Sequence, residues 1–206
     1  MGIDSGYGVG SLKTGVCTSA TRPAVPFEGQ MIYETNTDMV AIWNGTAWRY
    51  IAATTPTNGS VLQVQSTTKT DTFSTASTSF VDVTGLSVSI TPTSSTSKIF
   101  VQVTAPVGQS ANIVNMRLLR GSTAIAVADA SGTRPLGFAG SDSSASSQSF
   151  VLSTNFLDSP ATTSATTYKL QVATNTSTIY VNRTSRDSDG LDGRFTSTIT
   201  VMEIAG

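Results

Sequence analysis

The sequence predicts an all-β protein: an N-terminal extended arm and three-stranded β-meander, followed by a jelly-roll-like β-sandwich. Three observations predict it. Charged residues make up only 12% of the chain, against roughly 25% in ordinary soluble domains, and Ser, Thr and Gly take their place. No long run carries an apolar repeat of about 3.6 residues. Several short segments instead alternate with the two-residue period of a strand: Leu86, Val88 and Ile90 against Ser87 and Ser89, then Tyr168, Leu170 and Val172 against Lys169 and Gln171.

Residues 1–28 read as an extended arm. Gly2, Gly6, Gly8, Gly10 and Gly15 weaken any regular preference, and Arg22-Pro23 and Val25-Pro26 favour polyproline-like geometry. Such a segment buries too little apolar surface to fold by itself and is either disordered or ordered by a partner. Residues 29–53 form the meander. Asn44-Gly45 signals a two-residue hairpin turn, pairing Trp43 with Thr46, Ala41 with Trp48 and Met39 with Tyr50. The earlier loop, residues 35–38, pairs Tyr33 with Val40 and Met31 with Ile42. The expected strands are residues 30–34, 39–43 and 47–51.

Alternation places Ile32, Met39, Ala41, Trp43, Trp48 and Tyr50 on one face of this meander. Met31, Tyr33, Val40, Ile42, Ala47, Arg49 and Ile51 fall on the other. Both faces are apolar, whereas a solvated antiparallel sheet has one polar face, and three short strands alone are marginal. Each tryptophan buries on the order of 150–250 Å² when covered. Tyr33, Trp43, Trp48 and Tyr50 are therefore candidates for docking to a larger assembly or for packing between copies. The competing reading packs one face on the downstream domain and the other under the segment's own loops.

Residues 54–60 read as a linker, and residues 61–206 as one β domain. Its expected strands are residues 61–66, 71–74, 80–83, 86–90, 98–107, 112–120, 123–128, 148–156, 166–173, 178–182 and 197–204. Many short strands with polar turns indicate a sandwich. The tracts 91–97 and 141–149 read as connecting loops, and Leu119-Arg120-Gly121 before Ser122-Thr123 reads as a hairpin.

The composition excludes several function classes. The chain has no histidine, which removes Ser-His-Asp and Cys-His catalysis and His-based zinc sites. Cys17 is the sole cysteine, so no intrachain disulfide forms, and its role reads as structural or incidental. Net charge is −1 without any basic cluster, against nucleic-acid binding. No apolar run reaches the ~20 residues of a membrane span, so no membrane insertion is expected. The N-terminal residues lack the apolar core of a signal peptide and match a myristoylation site poorly, with Gly6 where Ser or Thr is needed.

The most suggestive polar cluster is residues 183–194, RTSRDSDGLDGR. Asp187, Asp189 and Asp192 resemble part of a calcium loop, but Leu191 stands at the fifth position and Thr198 at the twelfth, where acids are required. Asp and Gly also populate ordinary turns, so the loop reads as solvated and no metal or cofactor is assigned. Arg183, Arg186 and Arg194, interleaved with the aspartates, are candidates for holding a sugar or a protein epitope. Glycosylation sequons at Asn44, Asn58, Asn175 and Asn182 are what chance gives in so Ser/Thr-rich a chain. A carboxylate pair for glycoside hydrolysis is conceivable, but acids are few and fall mostly in turns, so no enzyme is expected.

The segment EGQMIYETNTDMVAIWNGTAW (residues 28–48) resembles a short module of bacteriophage tail-fibre and minor virion proteins, which runs from EGQ through a tyrosine and a TxT-like turn to a WNG-x-x-W close. Downstream, TGLSVSITPTSSTSKIFV, LLRGST, LDSPATTSATTYKLQV and TITVMEIAG are similar to C-terminal domains of structural proteins from phages of marine bacteria and cyanobacteria. The two resemblances together cover nearly all of residues 21–206. They imply a virion structural protein, most often assigned to host attachment, and bring no catalytic motif. Fibres in general imply a homotrimer, joined to other phage tail or capsid proteins through residues 1–53. Loops 108–112, 131–149 and 183–194 would then face a host cell-surface glycan or protein. Residues 183–194 lie outside the resemblance and are candidates for individual specificity. The alternatives are a capsid decoration or head-fibre protein without receptor recognition, and a tailspike glycan depolymerase.

Overall fold

The computed structural model describes residues 14–51, 56–109, 112–143 and 148–206; residues 1–13 of the arm, 52–55 around the linker, and parts of loops 108–112 and 131–149 lie outside them. The described residues form strands, turns and loops, with no helix. They divide into two compact units, Met1–Thr55 and Pro56–Gly206.

The first unit is a four-stranded sheet in the order β1-β2-β3-β4, built from β1 (Gly15–Cys17), β2 (Met31–Glu34), β3 (Met39–Trp43) and β4 (Trp48–Ile51). The sequence predicts three strands; the additional one comes from the segment read as an arm. β1 runs parallel to β2, pairing Gly15 with Ile32 and Cys17 with Glu34. Three residues are too short to display alternation, so this strand is specified by its backbone partner rather than by its own pattern.

The β2–β3 register is the one the sequence predicts, with Met31 opposite Ile42 and Tyr33 opposite Val40. The β3–β4 register is not. Trp43 faces Trp48 and Ala41 faces Tyr50, because the loop holds residues 44–47 rather than Asn44-Gly45 alone. Asn44 explains the wider turn. Its side-chain oxygen accepts from the backbone N–H groups of Thr46 (3.1 Å) and Ala47 (2.8 Å), while Gly45 takes a φ of 87°. This Asx-type turn competes with the two-residue form. A slip of two residues preserves the assignment of side chains to faces, so the face count survives the correction.

The second unit contains β5 (Val61–Lys69), β6 (Phe73–Thr75), β7 (Val81–Ile90), β8 (Lys98–Gln109), β9 (Asn112–Arg120), β10 (Thr123–Ile125), β11 (Ala139–Ser143), β12 (Ser149–Asp158), β13 (Thr166–Thr174), β14 (Ile179–Val181) and β15 (Ser197–Ile204). Its eight principal strands form two antiparallel sheets. One is ordered β5-β15-β8-β12 and the other β7-β13-β9-β11. This nesting of β5 with β15, β7 with β13, β8 with β12 and β9 with β11 is the folded-over hairpin of a jelly roll. The short strands β6 and β14 extend the first sheet beside the end of β8, and β10 extends the second beside β9.

The two sheets close on one apolar core. Ile99, Val101, Val103 and Val107 of β8 meet Val114, Met116 and Leu118 of β9, with Tyr168, Leu170 and Val172 of β13 between their neighbours. Two local departures from the expected strands follow identifiable causes. Residues 80–83 and 86–90 form one continuous strand, β7, because Gly85 adopts a φ of 81° and the segment 83–86 bulges opposite Leu170. The bulge lets Val83 and Leu86 both enter the core. Residues 139–143, expected as loop, form β11 against β9. That strand, AGSDS, has no alternating apolar residues; Gly140 fits because a Cβ there would stand 2.8 Å from the Val114 carbonyl oxygen. The two-residue turn at Gly121-Ser122 between β9 and β10 forms as expected, with Gly121 at a φ of 57°.

The end of the chain is stitched into this unit. Gly59 N–H donates to the Ala205 carbonyl and Ala205 N–H to Ser60, each at 2.8 Å. Glu203 of β15 is fully buried, where it accepts from Gln63 Nε2 (2.6 Å) and from the backbone N–H and hydroxyl of Thr93 (2.7 Å each).

Candidate functional site

Of the four docking candidates in the first unit, the sheet brings three together. Trp43 and Trp48 face each other edge-on, with ring centroids 5.6 Å apart, and Tyr50 lies on the same face, opposite Ala41. Tyr33 is on the other face, where its hydroxyl donates to the Asp38 carboxylate. That hydrogen bond is the first cause raising the Tyr33 phenol above its ordinary pKa.

The centre of the Trp-bearing face is polar, which the sequence reading missed. Glu34 is fully buried there. It accepts an ion-paired hydrogen bond from Arg22 Nε, a bond from the Tyr50 hydroxyl (2.9 Å) and one from Thr37 (3.2 Å). Arg22 also donates to the Tyr50 oxygen (2.7 Å) and stands 5.7 Å from that ring's centroid. The Arg22 hydrogen bond holds the Glu34 carboxyl below its usual range against the opposing effect of burial. Tyr50 is thus part of an internal Arg–Glu–Tyr cluster. A lone glutamate on the face that also holds Ile32, Ala41 and Trp43 was the available signal, and Arg22 lay in the segment read as an arm.

On the opposite face stand Met31, Tyr33, Val40, Ile42, Arg49 and Ile51, half-buried or exposed. Exposed apolar side chains continue along residues 14–28, at Val16, Val25 and Phe27. Cys17 is a free thiol in β1.

The loop of residues 183–194 joins β14 to β15 and is pinned at its base. Asn182, buried with a φ of 67°, donates to the carbonyls of Lys69 (2.8 Å) and Asp71 (2.9 Å) and accepts from Ser197 Oγ (2.6 Å). Its burial leaves this sequon no room for a glycan. Arg183 and Arg194 form an isolated bridge, and β8 passes so close that a Cβ on Gly108 would fall 2.3 Å from the Arg183 carbonyl oxygen.

Above this base the charged side chains engage one another. Arg186 grips Asp192 through two bonds of 2.8 and 2.7 Å, and Ser188 N–H adds a third at 2.7 Å. These bonds, Arg186 first, hold the Asp192 carboxyl down at about 2. Asp187 pairs with Arg194 at 2.7 Å and Arg183 at 3.4 Å, while the Arg183 guanidinium stacks 3.8 Å from the Tyr180 ring centroid. All six predicted residues therefore sit in one loop. Five of them are occupied with each other, and Asp189 stands exposed beside Leu191, which is 98% exposed. The aspartates meet arginines rather than converging, and no group of three metal-ligating side chains occurs among the described residues.

Two further buried carboxylates have the same character. Asp158 accepts from Arg120 NH1 (2.8 and 3.0 Å) and from the Tyr168 hydroxyl (2.7 Å). Burial first, and this bond second, raise the Tyr168 phenol well above its ordinary pKa. Burial pushes the Glu203 carboxyl up, but the bonds from Gln63 and Thr93 outweigh it and bring it to about 2. The Glu203 carboxylate is held by fixed donors rather than poised for proton transfer near neutral pH. No helix among the described residues is long and apolar enough to cross a membrane. No protein-family model matches the chain, and no curated protein matches it.

Proposed function

We propose that the chain is a structural protein of a bacteriophage particle, a homotrimeric tail-fibre component that mediates host attachment and has no enzymatic activity. The observation that carries this reading is the resemblance of residues 28–48, and of the phrases up to TITVMEIAG, to phage fibre and minor virion proteins. The architecture supports it: a small sheet carrying the fibre-like module and a jelly-roll unit form separate compact bodies. In this reading residues 1–53 join the protein to other tail or capsid proteins through Trp43, Trp48 and the apolar face around Tyr33. The jelly roll presents Asp189, Leu191 and the outer rims of Arg186 and Arg194 to a host glycan or protein.

The saturated carboxylates at Glu34, Asp158 and Glu203 support a binding rather than a hydrolytic role. The mutual neutralisation of the 183–194 loop favours a second reading, a capsid decoration or head-fibre protein that recognises no host. Electron microscopy of the particle with a label on residue 206 tests the proposal. Signal on the tail, together with competition of phage adsorption by excess protein, supports attachment. Signal on the capsid without competition supports decoration, and absence from the particle overturns both.

A further inference from the structure

The two outer faces of the jelly roll differ in chemistry. The face of β7, β13 and β9 is charged and cross-linked. Asp82 accepts from Lys169 (2.7 Å) and Gln171 (2.6 Å), Gln171 accepts from Arg117 (2.8 Å), and Arg117 stacks 4.1 Å from the Phe80 ring centroid. On β8, the alternation that sends Ile99, Val101 and Val103 into the core turns Phe100, Gln102 and Thr104 outward. The registers align them with neighbours in rows across four strands. Val64, Met202, Phe100 and Leu157 form an apolar row, followed by Ser66, Thr200, Gln102 and Asn155, then Thr68, Thr198, Thr104 and Ser153. None of these three rows contains an ionisable side chain. The ends of the apolar row are open, with Val64 at 51% and Leu157 at 54% exposure.

At one side of this face lies β12. It pairs with β8 from Ser149 to Asp158 without a register break, and among the described residues it has no second ladder partner. It lacks the lysine, proline or bulge with which edge strands are ordinarily protected. Its inward residues Phe150, Leu152 and Phe156 are only partly buried, and Val151 is exposed on its outer face.

We propose that these three charge-free rows and the β12 edge beside them are the two halves of an interface between copies of this chain, each copy laying its β12 edge across its neighbour's Val64–Leu157 row. The inference rests on the trimeric reading above and names its surface. A second copy fits this surface on two grounds. Rows without ionisable groups meet another such surface without burying an unpaired charge; Lys98 stands one row beyond them, at the rim, where it donates to Ser159 Oγ (2.8 Å). The opposite face would bring two copies of Asp82 and Lys169 together. Area decides the arrangement. Four strands ~4.8 Å apart and eight residues long give a footprint of about 500 Å², short of the roughly 800 Å² that a stable interface takes from each partner. The ten-residue edge adds about 340 Å² if half the ~20 Å depth of a two-sheet sandwich is covered. A ring closes through a heterologous contact that uses two different patches on every copy, which buries both.

The test uses the full chain and the exposed substitutions Val64→Glu and Leu157→Glu, with Ser87→Glu on the opposite face as control. Mass is read by light scattering, and exchange by deuterium uptake in residues 149–158. The expected result is a wild-type trimer with slow uptake in β12. Val64→Glu and Leu157→Glu should raise that uptake at least about tenfold with an unchanged circular dichroism spectrum, whether the mass falls to a monomer or the first unit still holds the copies together; Ser87→Glu should change neither. A trimeric wild type whose β12 uptake is unaffected by both variants overturns this surface and leaves the trimer standing. A monomeric wild type overturns both. Release of an otherwise stable trimer by Ser87→Glu alone assigns the contact to the charged face and overturns the inference.

Discussion

Replacing Glu203 tests whether a buried anion fastens the last strand of the jelly roll. Its carboxylate receives three hydrogen bonds of 2.6–2.7 Å, from Gln63 and twice from Thr93. Gln63 is itself fixed by a 2.8 Å bond to the Thr91 carbonyl. Each bond to a charged acceptor is worth about 1.5–3 kcal/mol, but they are not additive. A cavity of about 200 Å³ lined by Leu62, Thr93, Ser97 and Gly206 lies alongside, so water can re-solvate part of what is lost. The net cost of Glu203→Ala is therefore set at about 3 kcal/mol. Glu203→Gln keeps the shape but turns an NH₂ group toward the Gln63 NH₂ group, and Gln63 cannot flip without losing Thr91; about 1.5 kcal/mol is expected. Urea unfolding should be followed by circular dichroism, because both tryptophans lie in the first unit. The pH dependence gives a second reading. The Glu203 carboxyl is lowered from 4.5 to about 2, so its stabilisation is complete above 4.5 and disappears as pH falls toward 2. The gap between wild type and Glu203→Gln should then shrink between pH 7 and pH 2.5. Equal stability at pH 7, or a gap that stays constant in acid, would refute the reasoning.

Tyr168→Phe removes the buried hydroxyl that donates to Asp158 (2.7 Å) and should lower stability by about 2 kcal/mol, read from the same urea curves; no loss would show that Arg120 alone satisfies that carboxylate. Gly108→Ala forces a Cβ to within 2.3 Å of the Arg183 carbonyl oxygen and 2.7 Å of Thr184 Cα. It should cost about 1–3 kcal/mol and speed tryptic cleavage after Arg186 and Arg194, whereas an unchanged cleavage rate would mean the loop is not anchored on β8. Arg22→Ala leaves the Glu34 carboxylate without its cation. The transition seen by tryptophan fluorescence should move to lower urea at pH 7. Because Arg22 holds the Glu34 carboxyl below its ordinary 4.5, the difference should close as pH falls below that value; coincident curves at every pH would count against the cluster.

What the sequence made legible was governed by side-chain pattern. Leu86, Val88 and Ile90, and Tyr168, Leu170 and Val172, alternate because one face of each strand enters the core. The sandwich could be read from them. What stayed hidden was governed by backbone or by distant pairing. β1 and β11 are held by ladders whose partners lie 17 and 23 residues or more away in register, and neither GVC nor AGSDS has an apolar period to show it. The Asn44 turn was mis-sized because a side-chain oxygen took over two backbone donors. The charged loop was legible as six charged residues within one stretch of twelve. That they would neutralise one another depends on the φ of 52° at Asp187 and on Gly190 at 107°, which fold the chain back so that residues 183 and 194 meet.

That neutralisation bears on how the protein makes contacts. The chain has 12 basic and 13 acidic residues, and the described ion pairs join Arg22, Lys69, Arg120, Lys169, Arg183, Arg186 and Arg194 to acids of the same chain. Arg117 is engaged by Gln171 and Phe80, Lys98 by Ser159 and Arg134 by Ser131. Seven cations are thus matched by acids of the chain, and a net charge of −1 leaves a weak long-range field to steer a partner. Long-range attraction between separated surface charges fades within about 8–10 Å in physiological salt, so a chain of nearly balanced charge forfeits little there. The surfaces that remain are the uncharged rows on β5, β15, β8 and β12, and the apolar side of the first sheet. Contacts made by such surfaces depend on shape, apolar area and neutral hydrogen bonds, and their strength varies little with ionic strength. Under the proposed function, a particle protein assembled once and exposed afterwards to changing salt would gain persistence from that arrangement, at the expense of association rate.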